Sequence, residues 1–213
     1  MPEKSDAGPV PYHAQWVSAD LVESIVLGTT SARDDPRWRE SGAESRDDYD
    51  FWSWRSCGMA CLNMALDHWL GVTLPTVVLA KRCMAAGGYV PKGEGLVGLI
   101  YQPFTEWVWE EFRLPAEVHT ELSVESLRHA VVQGHLVMAS VHPDIRRPAR
   151  RAPGRGGHLV LVVGADDTHL YLNNPSGFAG ESQSYAPVAF DDFTRFFAGR
   201  GILLSPPEGS ASS

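Results

Sequence analysis

The feature that most constrains the fold is the separation of helical and strand patterns along the chain. Apolar residues at helical spacing dominate the first half, most clearly in the segment that follows Ser56 and stops at Gly71. Two short apolar runs rich in β-branched residues, 135–141 and 158–165, lie in the second half. Helices first and neighbouring strands second predict an α+β fold, with the helix after Ser56 packed on a C-terminal antiparallel sheet.

The remaining elements are predicted from caps, prolines and turns. Further helices are expected at residues 75–86, from the first-turn proline Pro103, after the capping Ser123, and at 190–198. The polar turn 166–169 should join the run 158–165 to a returning strand, with residues 158 and 174 nearly opposite each other. The segment GILL near the C-terminal end is expected to close the sheet as a strand.

Length and local composition predict one domain with flexible ends. The 213 residues fit a single compact domain, which we place at residues 9–205. Residues 1–8 and 206–213 have the composition of flexible termini. Residues 29–50 are charged and poorly periodic, and are expected to form a long surface loop after a short helix at 19–26.

Charge, hydropathy and cysteine usage exclude several classes of function. The net charge of −8 argues against nucleic acid as a partner. The sequence contains no secretory signal and no apolar run long enough for a membrane span, and its three cysteines suit a reducing compartment. A cytoplasmic protein without a membrane partner is expected.

No cofactor or metal is expected either. The segment GEGLVG matches the dinucleotide-binding pattern, but no βαβ unit surrounds it. Cys57, Cys61 and His68 share one helical face, yet no CxxC pair or second group of ligands completes a zinc site.

Cys57 occupies the position where the first strong helix begins. Unpaired backbone N–H groups and the positive end of the helix dipole favour a thiolate at such a position, and the thiolate is the nucleophilic form. Cys61 and Cys83 lie at positions expected for core residues. Cys57 is therefore the candidate nucleophile.

His158 opens an apolar strand directly after Gly156 and Gly157, so its ring can project at the end of the sheet. Glycine at position 157 would let a substrate backbone approach closely. Asn173 and Asn174 stand on the returning strand, where one side-chain amide would accept the ring N–H of His158 and fix its tautomer. The other asparagine would belong to the turn Asn-Pro-Ser-Gly.

The segments VPYHAQW, SCGMACLNMAL, GGHLVLVVGADDTHLYLNNPSG and FDDFTRFFAGRGI together resemble the bacterial papain-like peptidases related to the bacteriocin leader peptidases. The resemblance spans residues 10–204 and implies the papain-like cysteine protease fold. It implies Cys57 as nucleophile, His158 as general base and Asn174 as the orienting residue, where the family usually has Asp. Gln15 matches the glutamine that donates to the oxyanion.

The spacing of Gln15 and Cys57 departs from the family, in which a short loop separates the two. Either residues 19–54 are an insertion, or the oxyanion donor is a different group. An insertion here would lie at the mouth of the cleft and could set the choice of substrate.

Two neighbouring segments are candidates for substrate binding. The stretch IRRPARRAPGRGGH places Arg151 and Arg155 just before His158, where they would form a positive rim for a carboxylate, a phosphate or an acidic carrier domain. Trp54, in FWSW, would form an aromatic wall on the other side of the cleft.

Three functions fit these residues. The first is hydrolysis of a peptide or amide bond through an acyl-enzyme on Cys57. The second is acyl transfer, cyclisation or thioester cleavage with the same nucleophile, on a carrier-bound or peptide-derived substrate. The third is a catalytically inactive binding module, motivated by the displaced glutamine and the missing aspartate. The expected partner is a peptide or small-molecule acyl substrate, with a carrier domain as an alternative.

Overall fold

The structure, a computed structural model, describes residues 9–207. The flexible ends predicted for residues 1–8 and 206–213 lie outside these residues, apart from 206 and 207. The helices are α1 (Val22–Val26), α2 (Arg46–Ser53), α3 (Cys57–Leu70), α4 (Thr76–Ala85), α5 (Tyr101–Phe112), α6 (Val124–Val132) and α7 (Phe190–Phe196). The strands are β1 (Val90–Lys92), β2 (Gly95–Val97), β3 (Ala116–His119), β4 (Leu136–Val141), β5 (His158–Ala165), β6 (His169–Asn173), β7 (Ala186–Ala189) and β8 (Phe197–Leu204).

Six of these strands form one antiparallel sheet in the order β3-β8-β4-β5-β6-β7. The remaining two, β1 and β2, form a separate hairpin that contains the GEGLVG segment. Helix α3 packs against β5 and β4 in the middle of the sheet. The predicted α+β architecture, a cysteine-bearing helix on a C-terminal antiparallel sheet, is confirmed.

Both faces of the sheet are buried, and β4 shows why. Its residues Leu136 and Met138 belong to the apolar cluster shared with α3, α4 and α5. The alternate residues Val137 and Ala139 belong to a second cluster, shared with α6 and α7. A strand buried on both faces reads as a continuous apolar run rather than an alternating one, as β4 and β5 do.

The prediction of a long surface loop with a short helical turn at residues 29–50 is only partly right, because most of the segment is exposed but it contains more helix and more buried side chains than expected. The segment contains two short 3-10 turns and most of α2, and its Trp38 and Tyr49 are buried in the core. The fully buried carboxylate of Asp35 accepts hydrogen bonds from Ser18 Oγ (2.6 Å) and Tyr49 Oη (2.5 Å). Because these contacts join residues far apart in sequence, no local periodicity reveals them.

The β5–β6 hairpin turns at residues 166–169 as predicted, with Ala165 paired to Leu170, but residues 158 and 174 do not lie opposite each other. Leu161 pairs with Asn173, and an irregularity between Val162 and Gly164 offsets the strands. Strand β6 ends at Asn173, so Asn174 lies beyond the ladder and is not opposite His158. Continued to the start of β5, the pairing of Leu161 with Asn173 places residue 176 rather than 174 opposite His158.

The C-terminal part of the sheet is larger than predicted. Helix α7 ends at Phe196, two residues early, because Phe197 is already extended, and β8 then runs through eight residues between β3 and β4. Within residues 9–207, no helix is long and apolar enough to cross a membrane.

Candidate active site

Cys57 is the first residue of α3, as predicted. The hydroxyl of Ser56 donates to the carbonyl of Trp52 (2.7 Å), so the Ser56 side chain does not cap α3. Gly58 brings this end of the helix close to the sheet, because a Cβ there would lie 3.3 Å from Leu159 on β5. The start of α3 therefore packs directly beside the strand that begins with His158.

Burial dominates the electrostatics of the Cys57 thiol. It raises the pKa of Cys57, and hydrogen bonds from the backbone N–H groups of Leu159 and Gly58, with the charge of Arg146, only partly oppose this. The expected effect of the helix start is present but smaller than the effect of burial, so whether Cys57 reacts as a thiolate stays a prediction. The helix N–H groups act in the expected direction, but desolvation of the charged form is stronger.

His158 and Asn174 are brought together, with His158 Nε2 2.9 Å from Asn174 Oδ1. The backbone N–H of Ser176 also donates to this oxygen (3.1 Å), which fixes the orientation of the amide. Because Oδ1 only accepts, His158 Nε2 must carry the proton. In the neutral ring Nδ1 is then the basic nitrogen, as a general base requires.

The two glycines before His158 set the direction of the chain. Gly156 and Gly157 have φ of +78° and +98°, a region that other L-residues rarely adopt. A Cβ on Gly156 would lie 3.2 Å from Ala198 and 3.4 Å from Arg200 Nη2. The glycine pair thus allows a tight turn that passes close to Ala198 and Arg200 on β8 and leads the chain into β5.

Asn173, the last residue of β6, points away from this site. Its Nδ2 donates to the carbonyl of Val10 (3.3 Å) and its Oδ1 accepts from the N–H of Tyr185 (2.9 Å). It holds the N-terminal segment against the sheet, whereas Asn174 contacts His158. The sequence alone left these two roles open.

His158 is held in its neutral form. Its pKa is lowered from 6.5 to about 3, mainly by burial and also by the positive charge of Arg146, while the hydrogen bond to Asn174 opposes both. Arg146 Nε donates to the Ser176 carbonyl (3.0 Å) and hydroxyl (2.9 Å), and this hydroxyl lies 3.1 Å from His158 Nε2. Sequence reasoning placed Arg146 only in the arginine stretch and assigned Ser176 to a turn, because nothing local signals the contact.

Replacing Arg146 with methionine should raise the pKa of His158, because the neutral side chain removes a positive charge that opposes protonation. We expect a rise of about one pH unit, which corresponds to about 1.4 kcal/mol of repulsion. The measurement is the pH titration of the His158 ring by NMR. Arg146→Lys retains the charge and should leave the pKa low, and a low pKa in both variants would contradict the assignment.

Gln15 reaches the same region although residues 19–54 separate it from Cys57. Its backbone N–H donates to the Pro175 carbonyl (2.9 Å), and its side-chain Nε2 donates to the Ser53 carbonyl (2.8 Å). The second N–H of the amide is not used in this contact. Gln15 is buried and does not line the cleft described next. Its role as a hydrogen-bond donor to the oxyanion therefore stays a prediction.

A cleft of about 480 Å³ opens at the start of α3, and both Cys57 and His158 line it. Trp54 and Gly157, both predicted to contact substrate, lie in its wall, and Trp54 is 45% exposed. The β1–β2 hairpin and the residues after it form another wall.

The arginines that line the cleft are not the predicted ones. Arg151 and Arg155 are exposed on the stretch before β5 and do not line it. Arg55, next to Trp54, and Arg200, on β8, do line it. Sequence reasoning missed both, since Arg200 reaches the site only through the pairing of β8 with β4.

Among residues 9–207, no group of three or more His, Cys, Asp or Glu side chains is close enough to hold a metal ion. All three cysteines are free, and Cys61 and Cys83 are fully buried.

Comparison with known proteins gives a fold but no close relative. No family model matches the sequence, and no curated protein matches it. A C39-like peptidase from Bacillus anthracis superposes with a TM-score of 0.52 at 18% identity, over 71% of this chain and 88% of the other. The peptidase domain of Streptococcus ComA, a bifunctional ABC transporter involved in a quorum-sensing pathway, superposes with a TM-score of 0.50 at 15% identity, over 72% of this chain and 93% of that domain. The chain therefore has the papain-like fold of C39-like peptidases, as its motifs predict.

Proposed function

We propose that this chain is a papain-like cysteine peptidase that cleaves a peptide or amide bond through an acyl-enzyme on Cys57. The observation that carries the proposal is the contact of His158 Nε2 with Asn174 Oδ1 at 2.9 Å, beside a cleft that His158 and Cys57 share. An amide that fixes the histidine tautomer and a thiol at a helix start are the parts that thiol-based acyl chemistry requires. The peptidase fold supports the same chemistry, although fold alone does not determine it.

In this mechanism Cys57 and His158 are both uncharged before the reaction begins. The first step must therefore include transfer of the thiol proton to His158. His158 Nδ1 takes the proton of the Cys57 thiol as the sulfur attacks the carbonyl carbon, so charge forms only as the S–C bond forms. His158 then gives this proton to the leaving amine as the C–N bond breaks. In the second half, His158 removes a proton from water, whose oxygen attacks the thioester. The acid leaves, and the thiol recovers its proton.

Backbone N–H groups at the start of α3 would stabilise the oxyanion. Cys57 and Gly58 begin the helix, and no side chain caps it. These donors are fixed before the reaction, so they require little reorganisation in the transition state. Gln15 would contribute the N–H that does not bond to Ser53, in the role that the family resemblance implies.

The first test is incubation with a proteome-derived peptide library in isotopically heavy water. We expect new C-termini that carry the heavy oxygen, read by mass spectrometry, and no new termini with His158→Ala. Absence of cleavage products from both proteins would count against a peptidase of broad specificity. A second arm with acyl thioesters and an amine acceptor separates hydrolysis from acyl transfer, since transfer yields an amide without heavy oxygen.

A further inference from the structure

The charged side chains that line the cleft beside Cys57 are positive, although the protein as a whole has a negative net charge. The chain carries 26 acidic and 18 basic residues, yet the cleft wall includes Arg55 and Arg200 and no Asp or Glu. Neither arginine forms an ion pair with a carboxylate of residues 9–207. Two unpaired guanidinium groups in an acidic protein indicate a place where a negative charge binds.

Arg55 is held rigidly at the junction of α2 and α3. Its guanidinium stacks on the Phe51 ring, with Cζ 4.1 Å from the ring centroid, and its Nη1 donates to the Phe51 carbonyl (2.6 Å). Its other terminal nitrogen, Nη2, lies near Gly95 on β2. A Cβ added to this glycine would be 3.9 Å from Nη2. The side chain is half-buried, so part of its N–H donors face the cleft.

Arg200 lies on the side of the cleft formed by the sheet. Its Nη2 lies 3.4 Å from where a Cβ on Gly156 would be, next to the turn that leads to His158. The residue is exposed and contributes to the cleft wall. Arg55 and Arg200 thus line the cleft from two sides, one from the helical part and one from the sheet.

Another part of the cleft wall is apolar. Leu96, Val97, Leu99 and Ile100 follow one another along β2 and the segment after it, and all line the cleft. Val97 is 39% exposed, which is high for a valine that serves only the core. A ligand with an apolar group would cover this wall.

We propose that the cleft takes an acyl substrate with an apolar side chain and a nearby anionic group, a carboxylate or a phosphate, that Arg55 or Arg200 binds. The apolar group lies on the Leu96–Ile100 wall and the anion pairs with a guanidinium. This inference rests on the proposed function for the identity of the reacting thiol, and it names the substrate chemistry that the cleft selects.

The test compares the alkylation of Cys57 by iodoacetate and by iodoacetamide, which differ in one negative charge. In both reactions the sulfur displaces iodide from the CH₂ carbon, and the thiol proton passes to solvent. We expect Arg55→Met and Arg200→Met each to lower the iodoacetate-to-iodoacetamide rate ratio by about three- to tenfold. High salt should reduce the ratio in the wild type more than in either variant.

Arg39→Met is the matched control, because Arg39 is exposed, stacks on Trp38 and does not line the cleft. It removes the same charge and should leave the ratio unchanged. An equal fall in the control, or no fall in either cleft variant, would overturn the inference. A thiol that reacts normally while no peptide is cleaved would instead count against the proposed function alone.

A second arm identifies the anion. N-acetyl-L-leucine, its neutral amide and inorganic phosphate are each tested for protection of Cys57 from iodoacetamide. Protection by N-acetyl-L-leucine indicates a carboxylate ligand, and stronger protection by phosphate indicates a phosphate group. Equal protection by the neutral amide would show that charge plays no part and would overturn the inference.

Discussion

Cys57→Ala is expected to reduce peptide cleavage at least about 10⁴-fold, because removal of a nucleophile leaves only binding and oxyanion stabilisation. The same change should remove the one cysteine that reacts in the folded protein. Cys61 and Cys83 are fully buried, and burial also raises the pKa of Cys83 to about 12. Intact-mass spectrometry after brief iodoacetamide treatment measures this, and single labelling should disappear in Cys57→Ala.

Cys83→Ala is the matched control for this experiment. It changes a buried cysteine outside the cleft, so single labelling and cleavage should both persist. Because burial raises the pKa of Cys57, the labelling rate should climb with pH through the alkaline range. Fast labelling at acidic pH would contradict the neutral resting pair and indicate a thiolate–imidazolium pair instead.

The second large effect is a loss of stability in acid that depends on His158. Burial is the main reason that its pKa falls from 6.5 in the unfolded chain to about 3 in the folded one. Below pH 6.5 the unfolded chain therefore binds a proton that the folded chain does not, and stability decreases until the pH reaches the folded pKa. Between pH 7 and pH 4 this should remove about 3 kcal/mol of unfolding free energy.

Urea unfolding of the wild type and His158→Gln at several pH values measures this contribution. The variant lacks the ring, so its free energy of unfolding should fall less between pH 7 and pH 4, by about the same 3 kcal/mol. Carboxylates titrate in both proteins and cancel in the comparison. His129→Gln, a change at an exposed helix position, is the matched control and should follow the wild type. Parallel pH profiles for His158→Gln and the wild type would show that His158 is not buried as a neutral ring.

Local sequence patterns were enough to predict the helices and strands on which the candidate active-site residues lie. Helix α3 begins at Cys57 and stops at Gly71, whose φ of +63° is the left-handed C-terminal cap that glycine favours. Helix α6 begins after Ser123, whose hydroxyl accepts the N–H of Ser126, and β5 has the predicted bounds. Each of these boundaries depends on contacts within a few residues, so the sequence reveals them.

Contacts between residues far apart in the sequence could not be predicted from local patterns. Residues 29–50 look like a loop because their polar residues show no period, but the carboxylate of Asp35 is buried under Ser18 and Tyr49. Asn173 and Asn174 are adjacent, similar in chemistry and both buried, and only the end of β6 turns the second one toward His158. The arginines of the cleft differ from the predicted ones for the same reason.

The sequence by itself determined the α+β fold, the helix that begins with Cys57, the strand that begins with His158 and the resemblance to papain-like peptidases. Helix caps, apolar runs and glycine pairs depend on residues that are close together in the sequence, so the sequence alone reveals them. The resemblance already implied Asn174 as the partner of His158, and the structure contains that contact. Tertiary structure alone decided the contact with Arg146 through Ser176 and the arginines that line the cleft. It also raises the pKa of Cys57 and lowers that of His158, because desolvation depends on everything packed around a group and not on its neighbours in sequence.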